Sequence, residues 1–333
     1  MQRSLNFRPV GKIFAGLLFA LLMVEVLIFS PKEVATPEDI KSKSAQNETA
    51  EEQRIIGAQL VEVTNEGRKE WELRAEEAVG SKEKGFMSLK TVNSKFFSKS
   101  DATFFVVTGD KGSVWLNSKD MEIKGNVVIQ SSNGHVFKTN SVYYQSEAKA
   151  LRTADPVTMV GPMDQNGTRL NLEGRGLYAS IEDGFIDIQQ DVRVNKTLDD
   201  GRNVVVRSNK ARFSSKTKIA SFKDEVTVDI ASSRISGPEA HFEYDPQTQS
   251  LTSMQVEGGV RISDIDKWAT AKQVHMSFTK DRFVLSGAPR LVQNNDELRG
   301  DEIVFSDGGR TVQVRRARAK FDSESARDYQ SRE

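Results

Sequence analysis

Three histidines, His135, His241 and His275, are the only imidazoles in this chain of 333 residues, and no cysteine accompanies them. Thiolate nucleophiles, disulfides and Cys-ligated metals are thereby excluded, as is lipidation of an N-terminal cysteine. Each histidine stands alone on a strand-like stretch. Neither H-x-H nor H-x-x-x-H spacing is present to converge two imidazoles on one ion, so no metal centre is expected. Carboxylates are plentiful but scattered, as on an ordinary solvated surface. The nucleophile elbow G-x-S-x-G is absent, and so is the phosphate loop G-x-x-x-x-G-K-[ST]. The 47 Lys and Arg balance 47 Asp and Glu, which removes the basic footprint that nucleic-acid binding needs. The chain reads as a non-enzyme with no catalytic residue, no cofactor and no nucleic-acid partner.

The elements that would position such groups are strands. Trp71-x-Leu73, Val114-x-Leu116, Met121-x-Ile123, Val127-x-Ile129, Val204-x-Val206 and Val226-x-Val228 keep the period of two that marks half-buried strands. Turn pairs punctuate them: Asn133-Gly134, Asn166-Gly167, Asp183-Gly184, Asp199-Asp200-Gly201 and Asp307-Gly308-Gly309. One unit recurs, an apolar strand, a small or acidic kink, then a second apolar strand. It appears in EIKGNVVI, RTADPVTMV, IDIQQDVRV, ASFKDEVTV, QVEGGVRI and FVLSGAPRLV. Its key positions Val127, Val157, Val192, Val226, Val260 and Leu291 follow one another at 30, 35, 34, 34 and 31 residues. A period in this range signals stacked supersecondary units sharing one core. The region is all-β.

The N-terminus is different. Val10 to Phe29 is apolar apart from Lys12 and Glu25. At about 1.5 Å per residue it spans a hydrocarbon core of about 30 Å, so residues 10–30 are expected to form one transmembrane helix. Arg3, Arg8 and Lys12 precede or open it and Glu33, Glu38 and Asp39 follow. Residues 1–9 are therefore expected in the cytoplasm and the bulk beyond the membrane. A cleaved signal peptide is the competing reading, but small residues at the cut are poorly placed around Ser30 and Ala35. Gly16 and Ala20 form a small-xxx-small pair suited to packing on a partner helix. Residues 31–54 read as a flexible spacer and 323–333 as a polar tail.

Phe278 to Phe305, with Leu298-Arg299-Gly300-Asp301-Glu302-Ile303 and the closing TVQVRRARAKF, resembles the LptA/OstA-like family of lipopolysaccharide-transport jellyrolls. Gly57 to Val194 resembles the LptC family in its anchor, its GAQLVEVTNEGRKEWELRAEEA opening, and the MEIKGNVVI and GTRLNLEGRGLYASI stretches. The resemblance implies two tandem OstA-like β-jellyroll domains, 55–196 and 197–322, forming an open, elongated sheet stack. It implies a single-pass inner-membrane protein with its bulk in the periplasm. It further implies lipopolysaccharide as cargo through its lipid A acyl chains, and an inner-membrane ABC transporter complex as donor. Other jellyroll bridge proteins and an outer-membrane translocon are the implied partners. Only nine residues, NKTLDDGRN, separate Val194 from Val204, so the two units are expected to dock strand to strand.

In that family the inner face of the splayed sheets receives acyl chains. The implied lipid-binding residues are Trp71, Phe104, Leu116, Ile123, Tyr144, Met159, Leu172, Ile188, Phe213, Val228, Phe242, Met276, Phe283 and Phe305. Burying one methylene stabilises by about 0.8 kcal/mol, so a chain of about a dozen carbons would cost roughly 10 kcal/mol to expose. A continuous apolar trough lowers that barrier. Alternation alone fits a closed core equally well, and a structural or adhesive β-repeat protein is the alternative function.

Overall fold

Gly, Asn and Asp doublets interrupt otherwise apolar strands at regular intervals, and in the computed structural model these interruptions become bends. The structure describes residues 52–81, 85–99, 104–306 and 311–320. The anchor expected over 10–30, its Gly16 and Ala20, most of the spacer and the tail lie outside the described residues. Among the described residues there is no helix; the chain from Glu52 onward forms one compact unit. The strands are β1 (Gln53–Val63), β2 (Lys69–Ser81), β3 (Phe86–Phe97), β4 (Phe104–Trp115), β5 (Met121–Ser131), β6 (Val136–Gln145), β7 (Ala150–Met163), β8 (Arg169–Ser180) and β9 (Phe185–Thr197). They continue as β10 (Asn203–Ser208), β11 (Lys210–Ser214), β12 (Ile219–Ile230), β13 (Ser233–Tyr244), β14 (Leu251–Ser263), β15 (Lys267–Ser277), β16 (Arg282–Ser286), β17 (Arg290–Gln293), β18 (Asp296–Arg299), β19 (Glu302–Ser306), β20 (Thr311–Arg315) and β21 (Arg318–Lys320).

All the pairings are antiparallel, strand to following strand from β1 to β10 and from β12 to β16, giving one 21-stranded sheet. The short strands are halves of broken long ones. β10 and β11 both pair with β9 and β12, and β16 and β17 both pair with β15. The expected domain boundary after residue 196 falls at the end of β9, and the sheet runs across it without interruption. The connection is a tight turn in which the Leu198 N–H donates to the Arg202 carbonyl at 2.8 Å and Gly201 adopts φ +84°.

The repeated kinks are β-bulges. The residues just before the key apolar positions hold left-handed backbone: Gly125-Asn126 before Val127, Asp191 before Val192, Asp224-Glu225 before Val226, Gly258-Gly259 before Val260. Ladder register shifts there, between Lys124 and Val127, Lys223 and Val226, and Glu257 and Val260. Bulges bend strands and let one strand serve two packed faces. The apolar residues on either side are then directed into one interior, where Val127, Val157, Val192, Val226 and Val260 are all buried.

Contacts between opposite ends of the strands establish how far the sheet rolls. A straight twelve-residue strand would hold its ends about 40 Å apart. Yet Lys149, in the β6–β7 turn, donates to Glu70 at the start of β2 at 2.8 Å, and bridges Glu182 at 3.2 Å. Lys99, just past β3, pairs with Glu182 at 3.0 Å. Gln165 N–H donates to the Thr248 carbonyl at 3.2 Å, and Arg202 lies 3.8 Å from Asp281. Apart from Lys149–Glu182, which joins neighbouring turns of one rim, each contact brings a group at one rim of the sheet to a group at the other. The two rims form lips, latched at intervals by polar contacts.

Candidate functional site

Between two of those latches lies a cavity of about 460 Å³. Its apolar wall comes from Phe105, Phe137, Leu170, Ile186, Val194, Val204, Val206, Phe213, Phe222, Phe242 and Leu251. Its mouth lies between the β5–β6 turn, with Ser131, Ser132, Asn133 and His135, and the β11–β12 turn, with Ser215, Lys216 and Lys218. Among the described residues no hydrogen bond or ion pair joins these two turns. Lips latched at Lys99–Glu182 on one side and Gln165–Thr248 on the other stand apart here. A second cavity, of about 300 Å³, is lined by Ile230, Ile235, Ile262, Trp268, Met276, Phe283, Leu285, Leu291 and Phe305. Both volumes fall within the range of small-ligand sites.

Polar residues also line the first cavity. Lys196 on β9 lines it, only 5% exposed, and its ammonium donates to Asp164 and, at 2.8 Å, to the Thr168 hydroxyl. Burial raises the Asp164 carboxyl pKa. The Lys196 ammonium, the Thr168 hydroxyl at 2.6 Å and the Thr168 N–H at 2.8 Å outweigh it and hold the group at about 2. Burial lowers the His135 pKa to about 4, so its ring is neutral at ordinary pH. The buried Lys196–Asp164 pair is therefore internally matched and the His135 ring neutral, while Lys216 and Lys218 stand at the mouth. The arrangement can hold an apolar chain; it assembles no nucleophile beside a base.

The structure divides the residues inferred for lipid contact into three groups. Phe213 and Phe242 line the first cavity, and Met276, Phe283 and Phe305 the second. Trp71, Ile123, Tyr144, Met159, Leu172, Ile188 and Val228 are buried in the continuous core, with Leu116 packed on its margin. Phe104 is a correction. Its neighbours Phe105 and Val107 are the inward residues of β4, and Phe104 sits on the outer face under the Lys95 ammonium, 4.3 Å from the ring centroid. The Phe104-Phe105 doublet leaves strand phase ambiguous, and the parity of Phe105 with Val107 was the available signal. Phe105, Phe137 and Phe222 are wall residues that alternation did not single out. His135 likewise lies in the turn before β6 rather than on a strand, and His241 is not isolated: Glu239 and Glu257 flank it.

Comparison with known families bears on this geometry. Residues 15–177 match the model described as lipopolysaccharide-assembly, LptC-related, and residues 205–307 the model for the LptA/LptD N-terminal-domain LPS transport protein. The chain joins an LptC-related segment to an LptA-like one. It is thus a lipopolysaccharide-transport protein of the periplasmic bridge. Both families are described by transport and assembly rather than by a reaction. A solved structure of LptH, the LptA-homologous periplasmic component of the lipopolysaccharide transport device of Pseudomonas aeruginosa, is 15% identical. That alignment covers 36% of this chain and 94% of LptH, with a TM-score of 0.33. No curated protein matches the chain.

Proposed function

We propose that this chain is an inner-membrane-anchored bridge component that accepts lipopolysaccharide from an ABC transporter and passes it through its apolar interior toward the outer membrane. The observation that supports this reading is where the larger cavity lies. Its wall draws Phe105, Phe137 and Leu170 from the LptC-related segment, Ile186 and Val194 from the residues between, and Phe213, Phe222 and Phe242 from the LptA-like segment. On this reading the two jellyrolls, 55–196 and 197–322, meet in a cavity that draws its wall from both sides of their join. With no phosphate loop in the chain, the drive comes from a partner that hydrolyses ATP. The anchor, through Gly16 and Ala20, is the contact we assign to that partner. Beyond the last paired strands, β20 and β21 leave a sheet edge for another jellyroll, such as that of an outer-membrane translocon.

A photo-crosslinking amino acid placed in cells at Phe213, Phe242 or Phe283 is expected to capture lipopolysaccharide, while exposed Asp183 and Asn295 capture none. Equal capture at both sets, or capture at neither, would overturn the proposal. Capture at Trp71, Ile123 or Tyr144 would show that the core itself parts during transit.

A further inference from the structure

We infer that Glu239, His241 and Glu257 form a binding site for a divalent transition-metal ion of the zinc class, on the outer face of the LptA-like segment. Pairing of β13 with β14 sets Glu239 opposite Glu257, and places His241 two residues along on the same face. The His241 Nε2 lies 3.3 Å from Glu239 Oε1 and 3.7 Å from Glu257 Oε1, and the three ligand atoms all fall within 4.8 Å of one another. Two ligands held about 2.1 Å from a tetrahedral zinc stand about 3.4 Å apart, so the side chains are already near coordinating separation.

Neighbouring groups aim these atoms. The Ser221 hydroxyl bonds the far ring nitrogen, Nδ1, at 3.0 Å, which turns Nε2 toward the carboxylates. Gln255 Nε2 donates to Glu257 Oε2 at 3.0 Å and leaves Oε1 facing the ring. Such outer partners fix the orientation of a metal-binding histidine. Two carboxylates and a neutral imidazole cancel the charge of a divalent ion, and partial exposure of all three leaves a fourth position for water. Magnesium and calcium prefer six or more oxygens, so one imidazole with two carboxylates favours the zinc class. The Lys223 ammonium, 2.9 Å from Glu239 Oε1, is the competing cation.

The location gives the ion work to do. The β13–β14 ladder skips Gly237-Pro238 and Gly258 to Val260, so backbone pairing is interrupted beside the site. A metal bridging Glu239 and His241 to Glu257 would tie the two strands at their bend.

The test is calorimetric titration of ZnCl2 into the full-length, tag-free protein. One ion should bind per chain. His241→Ala should raise the Kd at least tenfold, Ser221→Ala should raise it about tenfold, and His275→Ala should leave it unchanged. Lys223→Met should tighten binding, since it removes the competing cation; this exposed position is not needed for folding. No binding, equal affinity in His241→Ala, or displacement by an equal concentration of MgCl2 would overturn the site. If His241→Ala melts early, an unchanged affinity in Lys223→Met would overturn it instead.

Discussion

Lys196 and Asp164 meet beneath the wall of the larger cavity, with the Asp164 side chain fully buried. A buried pair contributes little compared with apolar residues of equal size, but removing one partner strands a charge and costs about 3–5 kcal/mol. Asp164→Leu and Lys196→Met should each lower stability by that order in denaturant melts, and the double variant should recover most of the loss. The same site gives a pH dependence. Asp164 titrates near 2 when folded and near its ordinary 3.8 when unfolded, so the unfolded chain binds the proton first. Its contribution, about 2 kcal/mol, is complete above about pH 4 and lost as pH falls through 2. His135 adds an earlier limb. Burial holds it at about 4 against an ordinary 6.5, so stability falls as pH drops from 6.5 toward 4. His135→Gln should remove that upper limb from a plot of melting temperature against pH and leave the lower one. The Asp164–Lys196 pair was not legible in sequence, because Asp164 lies in the β7–β8 turn and Lys196 on β9, and they meet only once β7, β8 and β9 are paired.

The bulge is the element that turns a flat meander into a container. At Gly125 the backbone has φ +80°, and an added Cβ would stand 2.6 Å from the Asp110 carboxylate. Gly125→Ala is expected to destabilise by about 1–3 kcal/mol, measurable as an earlier melt with the all-β circular dichroism spectrum retained. Asn126→Gly, at φ +47°, should be tolerated. The bends were legible as Gly, Asn and Asp doublets ahead of a valine at intervals of 30 to 35 residues. The phase of the side chains around them was not. A bulge inserts unpaired residues, which resets the alternation, and one residue of error moves a side chain to the other face. Phe104, ahead of the nearest bulge, shows the same one-residue error arising from an aromatic doublet instead, while Phe213 and Phe242 line the cavity.

At the scale of the molecule the join between segments is secured by ladders, not by its turn. β9 pairs with β10 and β11, and both pair with β12. Inserting about twenty Gly/Ser residues after Asp200 lengthens a five-residue turn fivefold, for about 1.4 kcal/mol of loop entropy. The variant should still scatter X-rays as one rigid particle; two independently tumbling bodies would refute the shared interior. Strand-to-strand continuity was foreseeable from the short NKTLDDGRN link, whereas the latching of the lips was not, since nothing local in sequence marks which turns will meet. Those latches carry a consequence for how the protein is made. Glu70 and Lys149 are 79 residues apart, and Arg202 and Asp281 are separated by the same interval. A chain that emerges N-terminus first pairs each hairpin as it appears, yet its rim must wait for a turn several strands later. A moving window of uncovered apolar sheet therefore follows the growing end, vulnerable to aggregation until its distant partner arrives. The lips should be last to gain protection in pulse-labelled hydrogen exchange during refolding, and a chain truncated after Leu198 should leave Lys99–Glu182 closed but the cavity mouth without its opposite lip.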